Sequence, residues 1–140
     1  MRRLLFFVLL FAMSGFIGCN EGNEEVKKLE DEVMAIHDEV MPKITDLFSA
    51  KKELEIALKN GADSITVFSL LKELDGADES MQMWMEEYEM PDESLDKALK
   101  MSYLNEEKSK ITKVKESILA SIDKTTQFTG KYIKIEQDSL

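Results

Sequence analysis

The soft donor atoms of this 140-residue chain fall mainly into two short stretches. Met34, His37 and Met41 follow one another by three and four residues, the spacing that puts side chains on one stripe of a helix. Met81 and Met85 repeat the step further along, with Trp84 and Tyr88 beside them. If two helices fold back about a turn near Ala62, position 37 comes opposite about 87 and position 41 opposite about 83. One imidazole and several thioethers would then share a layer, a donor set that suits Cu(I). The competing reading is core packing, because methionine fills irregular gaps and favours aromatic neighbours. His37 would then be a hydrogen-bonded core histidine, with Tyr88 or the carbonyl freed by Pro42 as its partner. On that reading the chain needs no cofactor.

The carboxylates are numerous but poorly placed for chemistry. Asp38 and Glu39 are adjacent, as are Asp78 and Glu79, so each pair diverges by about 100° on a helix. A di-iron bundle needs a Glu-x-x-His motif on two helices, and His37 is the one histidine. There is no nucleophile elbow and no glycine-rich phosphate loop. These absences point away from an enzyme.

Cys19, the one cysteine, closes a different pattern. Met1-Arg2-Arg3 gives a positive start, Leu4 to Met13 is almost unbroken apolar sequence, and Ser14-Gly15-Phe16-Ile17-Gly18 brings small residues before the thiol. Charged end, short apolar core and small-residue cleavage site are the parts of a secretion signal. The run is shorter than the about 20 apolar residues a bilayer-spanning helix needs. Phe16-Ile17-Gly18-Cys19 resembles the lipobox of bacterial lipoprotein signal peptides, matching at Gly18 and Cys19 and departing at Phe16, where leucine is usual. The resemblance implies a diacylglyceryl thioether on Cys19 and acylation of its amine, with residues 1–18 removed. Two or three acyl chains anchor durably where one does not.

Glu21, Glu24 and Glu25 resemble the acidic export signals of surface lipoproteins of the Bacteroidota, although helix starts favour acids as well. No aspartate follows Cys19, so the inner-membrane retention signal of enterobacterial lipoproteins is absent. The expected place is therefore the bacterial cell envelope, on the periplasmic or surface side of the outer membrane, with the lipid on Cys19 as the membrane contact.

Removing residues 1–18 takes away both arginines and no acid, so 18 basic and 28 acidic residues become 16 and 28, a net charge of −12. Without arginine the mature chain lacks the bidentate fork that reads phosphate and guanine, so nucleic acid is not an expected partner. With Cys19 committed to lipid, no disulfide is available, and the fold must hold by packing. Charge is uneven: residues 19–96 carry 22 acids and 7 lysines, whereas residues 97–140 carry 9 lysines and 6 acids. Self-repulsion in the acidic part would ease if the lysine-bearing C-terminal helix packed against it.

The elements that would position these residues are helices. Val26, Val33, Val40, Leu47 and Leu54 recur every seven residues, with Leu29, Ile36, Ile44 and Leu58 between them, a heptad seam on one long helix over 24–59. Pro42 lies inside that helix and predicts a kink, a true break at Met41 being the alternative. Asn60-Gly61 is a stop and Asp63 or Ser64 a cap for a second helix over 64–89, with the stripe Val67, Leu70, Leu71, Leu74, Ala77, Met81, Trp84, Met85 and Tyr88. A third helix is expected over 95–128, with core positions Leu104, Ile111, Val114, Ile118 and Ile122, stopped by Gly130. Short connections make neighbours antiparallel. The expected architecture is all-α: signal peptide 1–18, lipidated tether 19–23, an antiparallel three-helix bundle over 24–128, and a flexible tail over 129–140. The first helix should overhang at its N-terminal end, where residues 94–101 pack beside it.

Two stretches carry a further resemblance. His37-Asp38-Glu39-Val40-Met41-Pro42-Lys43, and Ala77-Asp78-Glu79-Ser80-Met81 with Trp84-Met85, are similar to a group of small Bacteroidota lipoproteins often labelled "viral A-type inclusion protein". The resemblance implies compartment and fold, and no mechanism or viral role. The long helices and seams would suit an interaction or structural module, docking an envelope protein or a second copy.

Overall fold

The computed structural model describes residues 21–137, with side-chain surroundings for 23–133. Residues 1–20, which include the segment read as a signal peptide and Cys19, and the last three residues lie outside the described part. Helices α1 (Glu21–Val40), α2 (Lys43–Lys59), α3 (Ser64–Glu87) and α4 (Lys97–Gln137) make up an all-α bundle, with no strand among the described residues. Residues 21–23, read as tether, already belong to α1.

The sequence pattern predicts three helices; the hydrogen-bond ladder divides the first at Met41–Pro42. Pro42 keeps helical angles (φ −60°, ψ −25°), but it has no amide to donate. The ladder tightens there to three-residue bonds, Ile44 N to Met41 O and Thr45 N to Pro42 O, both 3.2 Å. The apolar seam passes through unbroken, because Val33, Val40, Leu47 and Leu54 are all buried. α1 and α2 therefore form one limb with two hydrogen-bonded parts.

Each later end has an identifiable cause. Gly61 adopts φ +86° after α2, and Ala62 N reaches Ala57 O at 2.9 Å while Gly61 N reaches Leu58 O at 3.2 Å. This is the Schellman pattern, and the left-handed residue it requires is a glycine. Asp63 then caps α3, its carboxylate accepting both Thr66 N and the Thr66 hydroxyl at 2.8 Å. Those bonds, backbone first, hold the Asp63 carboxyl below its ordinary range. α3 ends two residues before the expected Glu89, and Asp96 opens α4 by accepting Leu99 N at 2.9 Å.

α4 corrects the sequence reading twice. It runs through Gly130 to Gln137, so the segment expected to hang as a tail from 129 is helical as far as 137. Glycine in a helix costs only about 1 kcal/mol, and the burial of Thr125 and Thr129 and the packing of Phe128 and Tyr132 against the core oppose that cost. The Asn60 amide also donates to Tyr132 O at 3.1 Å, tying this end of α4 to the α2–α3 turn. The second correction concerns the seam. Alternating steps of three and four lead from Leu104 through 107, 111, 114 and 118 to Ser121 and Thr125, all buried, whereas Ile122 is half-buried beside them.

The chain runs up through α1 and α2, down α3 and up α4, so the first limb and α4 are parallel. Glu32 meets Lys108 at 2.7 Å, Glu39 meets Lys115 at 2.6 Å and Glu53 accepts the Thr129 hydroxyl at 2.8 Å, each pair 76 residues apart. Lys97 pairs with Glu25, and Lys124 crosses to Glu73 of α3 at 2.6 Å. The lysine-bearing helix thus docks on the acidic limbs. Lys97 and Lys108 hold the Glu25 and Glu32 carboxyls below the usual range, chiefly through their hydrogen bonds. Such solvent-screened pairs contribute little each; burial of the apolar seams stabilises the bundle more. A second small cluster of Val26, Leu29 and Leu104, with Met101 and Tyr103, seals the N-terminal end of α1 against α4.

Candidate functional site

His37 sits on the last turn of α1, and its ring faces Trp84 of α3, with centroids 5.6 Å apart and planes tilted by 32°. Trp84 stacks in turn on Tyr88, at 4.9 Å and 24°. These rings bridge a gap, because no α-carbon of α1 lies within 8 Å of one of α3. α1 packs on α4 instead, and the large side chains reach across what the backbones leave open. Position 37 therefore comes opposite 84, three residues short of the 87 expected from a straight hairpin.

The five sequence-selected donors do not share one surface. Met81 is buried in the main core, and Met41 packs half-buried against it. Met34 and Met85 are exposed at 37% and 42%, turned toward solvent rather than into the layer. His37 Nδ1 lies 3.0 Å from Asp38 Oδ1, so its partner is a carboxylate on its own helix rather than Tyr88 or a freed carbonyl. Among the described residues no three His, Cys, Asp or Glu side chains converge as a metal-binding group. The arrangement is an aromatic joint between limbs, with one thioether from α3 in the core beneath it.

The polar centre of this joint is a residue that a search for soft donors passes over. Glu107 of α4 is only 3% exposed; its Oε2 accepts the Trp84 indole N–H at 3.0 Å and its Oε1 accepts Lys110 Nζ at 2.8 Å. The two bonds use one lone pair on each oxygen, as a buried carboxylate demands. Lys110 is held above the ordinary lysine range, first by its hydrogen bond to Glu107 and then by Glu106. The signal for Glu107 was present in spacing alone: it stands between Leu104 and Ile111 at a seam position, where an acid is out of place.

Tyr88 completes the group. Its hydroxyl is buried with no hydrogen-bond partner among the described residues, and burial, with smaller contributions from Tyr103, Glu30 and Glu107, raises its pKa. Tyr103 is spent on the next connection, donating to Glu89 O at 2.8 Å and accepting Glu89 N at 3.2 Å. Trp84, Glu107 and Lys110 are linked by hydrogen bonds, and Tyr88 joins them by stacking on Trp84.

Open depressions lie on the surface of the described residues, two of them on α4. One, about 440 Å³, runs along α4 beside Lys108, Thr112 and Glu116; the other, about 360 Å³, lies between α3 and α4 beside Gly76, Ser117 and Ala120. Neither reaches the aromatic joint. No helix among the described residues is long and apolar enough to cross a membrane. Comparison with protein-family models, with curated proteins and with solved structures finds no match.

Proposed function

We propose that the chain is a lipid-anchored helical-bundle lipoprotein of the bacterial cell envelope, acting as an interaction or structural module rather than as an enzyme. The observation that carries this reading is the order of residues up to Cys19: two arginines, an apolar run too short to span, then small residues and the only thiol. The similarity to small Bacteroidota lipoproteins, carried by residues 37–43 and 77–85, supports the same compartment. Helix α1 begins two residues beyond Cys19, so the anchor would hold the bundle close to the lipid surface. The copper-binding alternative has less support, because Met34 and Met85 are turned outward and His37 is engaged by Trp84 and Asp38. Membrane fractionation of cells making wild-type and Cys19→Ser protein tests the reading. The wild type should pellet with membranes and carry the mass of acyl chains on Cys19, and the variant should do neither. Retention of the variant would refute it.

A further inference from the structure

The connection between α3 and α4, with the first turn of α4, shows apolar side chains to solvent from a pinned backbone. Met90 is 70% exposed, Leu95 40% and Leu99 55%. The segment that carries them is held at five points. Asp92 Oδ1 accepts Ser94 N at 2.8 Å, Asp92 O accepts Leu95 N at 3.1 Å, and Asp96 caps α4 at Leu99 N. Lys100 Nζ donates to Glu93 O at 2.9 Å, and Tyr103 clamps Glu89. The backbone bonds at Ser94 hold the Asp92 carboxyl below its usual range. The outward leucines are therefore held in place by the fold, so an apolar phase that met them would gain their contact without ordering the segment.

Their position in the bundle selects the occupant. Lys97 pairs with Glu25, which sets Leu95 and Leu99 beside the first turns of α1. From Glu25 back to Glu21 is four helical residues, about 6 Å, and from there to Cys19 at most about 7 Å of chain. Leu95 and Leu99 thus lie within about 15 Å of the thiol along the bundle axis, on the order of the interfacial layer plus one turn of helix. The larger exposed side chains Ile65 (79%) and Phe68 (63%) lie at the opposite end, by the Gly61 turn.

We infer that Leu95 and Leu99, with Met90, seat the bundle on the lipid surface that holds the Cys19 anchor, tilting the α3–α4 connection down onto it. This rests on the lipoprotein reading above. The surface is a zwitterionic one: Glu21, Glu24, Glu25, Glu89, Asp92, Glu93 and Asp96 outnumber Lys27, Lys28, Lys97 and Lys100 around the seat, so an anionic leaflet repels it. Short-range apolar contact then fixes an orientation that the flexible acyl chains alone leave free.

The test uses the full lipidated protein with methyl-labelled Leu, Ile and Met, reconstituted in phosphatidylcholine nanodiscs containing a lipid with a nitroxide on its headgroup. Relaxation enhancement at the Leu95, Leu99 and Met90 methyls should exceed that at Ile65 several-fold. Replacing part of the phosphatidylcholine by phosphatidylglycerol should reduce it. Equal enhancement at Leu99 and Ile65, in protein whose acylation at Cys19 is verified by mass, overturns the seating and leaves the anchor intact. Protein that lacks acyl chains and does not enter the nanodiscs overturns both. A Leu95→Ser/Leu99→Ser pair, exposed and so harmless to the core, should keep the anchor and lose the enhancement at Met90; an unchanged Met90 signal also counts against the seat.

Discussion

Replacing Gly130 by alanine should stabilise the protein, and the size of the gain depends on whether α4 is helical there. Gly130 has no positive φ, and a Cβ built on it meets nothing within 4 Å, so the new methyl brings neither strain nor clash. The gain is then the helix-propensity difference, about 0.5–1 kcal/mol, largely from restricting the unfolded chain. For a domain of this size that raises Tm by roughly 2–4 °C. Gly76→Ala, in α3 with the same open surroundings, should give a similar and additive gain. Gly61→Ala should do the reverse and cost about 1 kcal/mol or more, because φ +86° is strained for any side chain with a Cβ. Urea titration followed by far-ultraviolet circular dichroism measures all three in parallel. If 129–137 hung as a tail, Gly130→Ala would change nothing while Gly76→Ala stabilised. That pattern would refute the extension of α4, and with it the docking of Tyr132 near Asn60.

Trp84→Phe should cost about 2–4 kcal/mol, combining loss of a hydrogen bond to a buried carboxylate with a smaller ring in the joint. Glu107→Gln in that background should cost less than in the wild type, so additive losses in denaturant titrations would count against the Trp84–Glu107 bond. Acid should weaken the fold through carboxyls held low by their partners. The contributions of Glu25 and Glu32 are complete above about pH 5, in the ordinary carboxylate range, and fade as pH falls through their lowered values. The Lys97→Met/Lys108→Met protein should therefore lose less stability than wild type between about pH 6 and pH 3; parallel curves would dismiss the ladder as inert. For copper, titration with Cu(I) against a competing chelator should give the same weak uptake for wild type and His37→Ala, and tight binding lost in the variant would reinstate the His37–methionine layer.

The seams were legible because burial in a bundle imposes a period that few residues can satisfy by chance: Val33, Val40, Leu47 and Leu54 reach the core as their spacing requires. The turn at Asn60–Asp63 was legible for the same kind of reason, since a left-handed position and a cap each restrict residue choice. What spacing alone did not convey was the relation of limbs. Pro42 predicts a kink but not its direction, so spacing alone did not convey that His37 meets 84 rather than 87. Gly130 illustrates the opposite failure, a local stop signal overridden by the contacts of Phe128 and Tyr132. Glu107, Ser121 and Thr125 occupy seam positions that a search for apolar residues skips, although steps of three and four from Leu104 lead to each.

The offset of 72 to 76 residues between the first limb and α4 has a kinetic consequence. Helical bundles fold quickly when their contacts are local, because each loop closed is short. Here α1 packs chiefly on α4 and makes no close backbone approach to α3, so it must wait for a helix that begins at Lys97. Synthesised from its N-terminus, the chain carries a bare valine and leucine stripe until its last third exists. Because α2 and α3 can already close about the Gly61 turn, the N-terminal helix is the last part of the bundle to find its place.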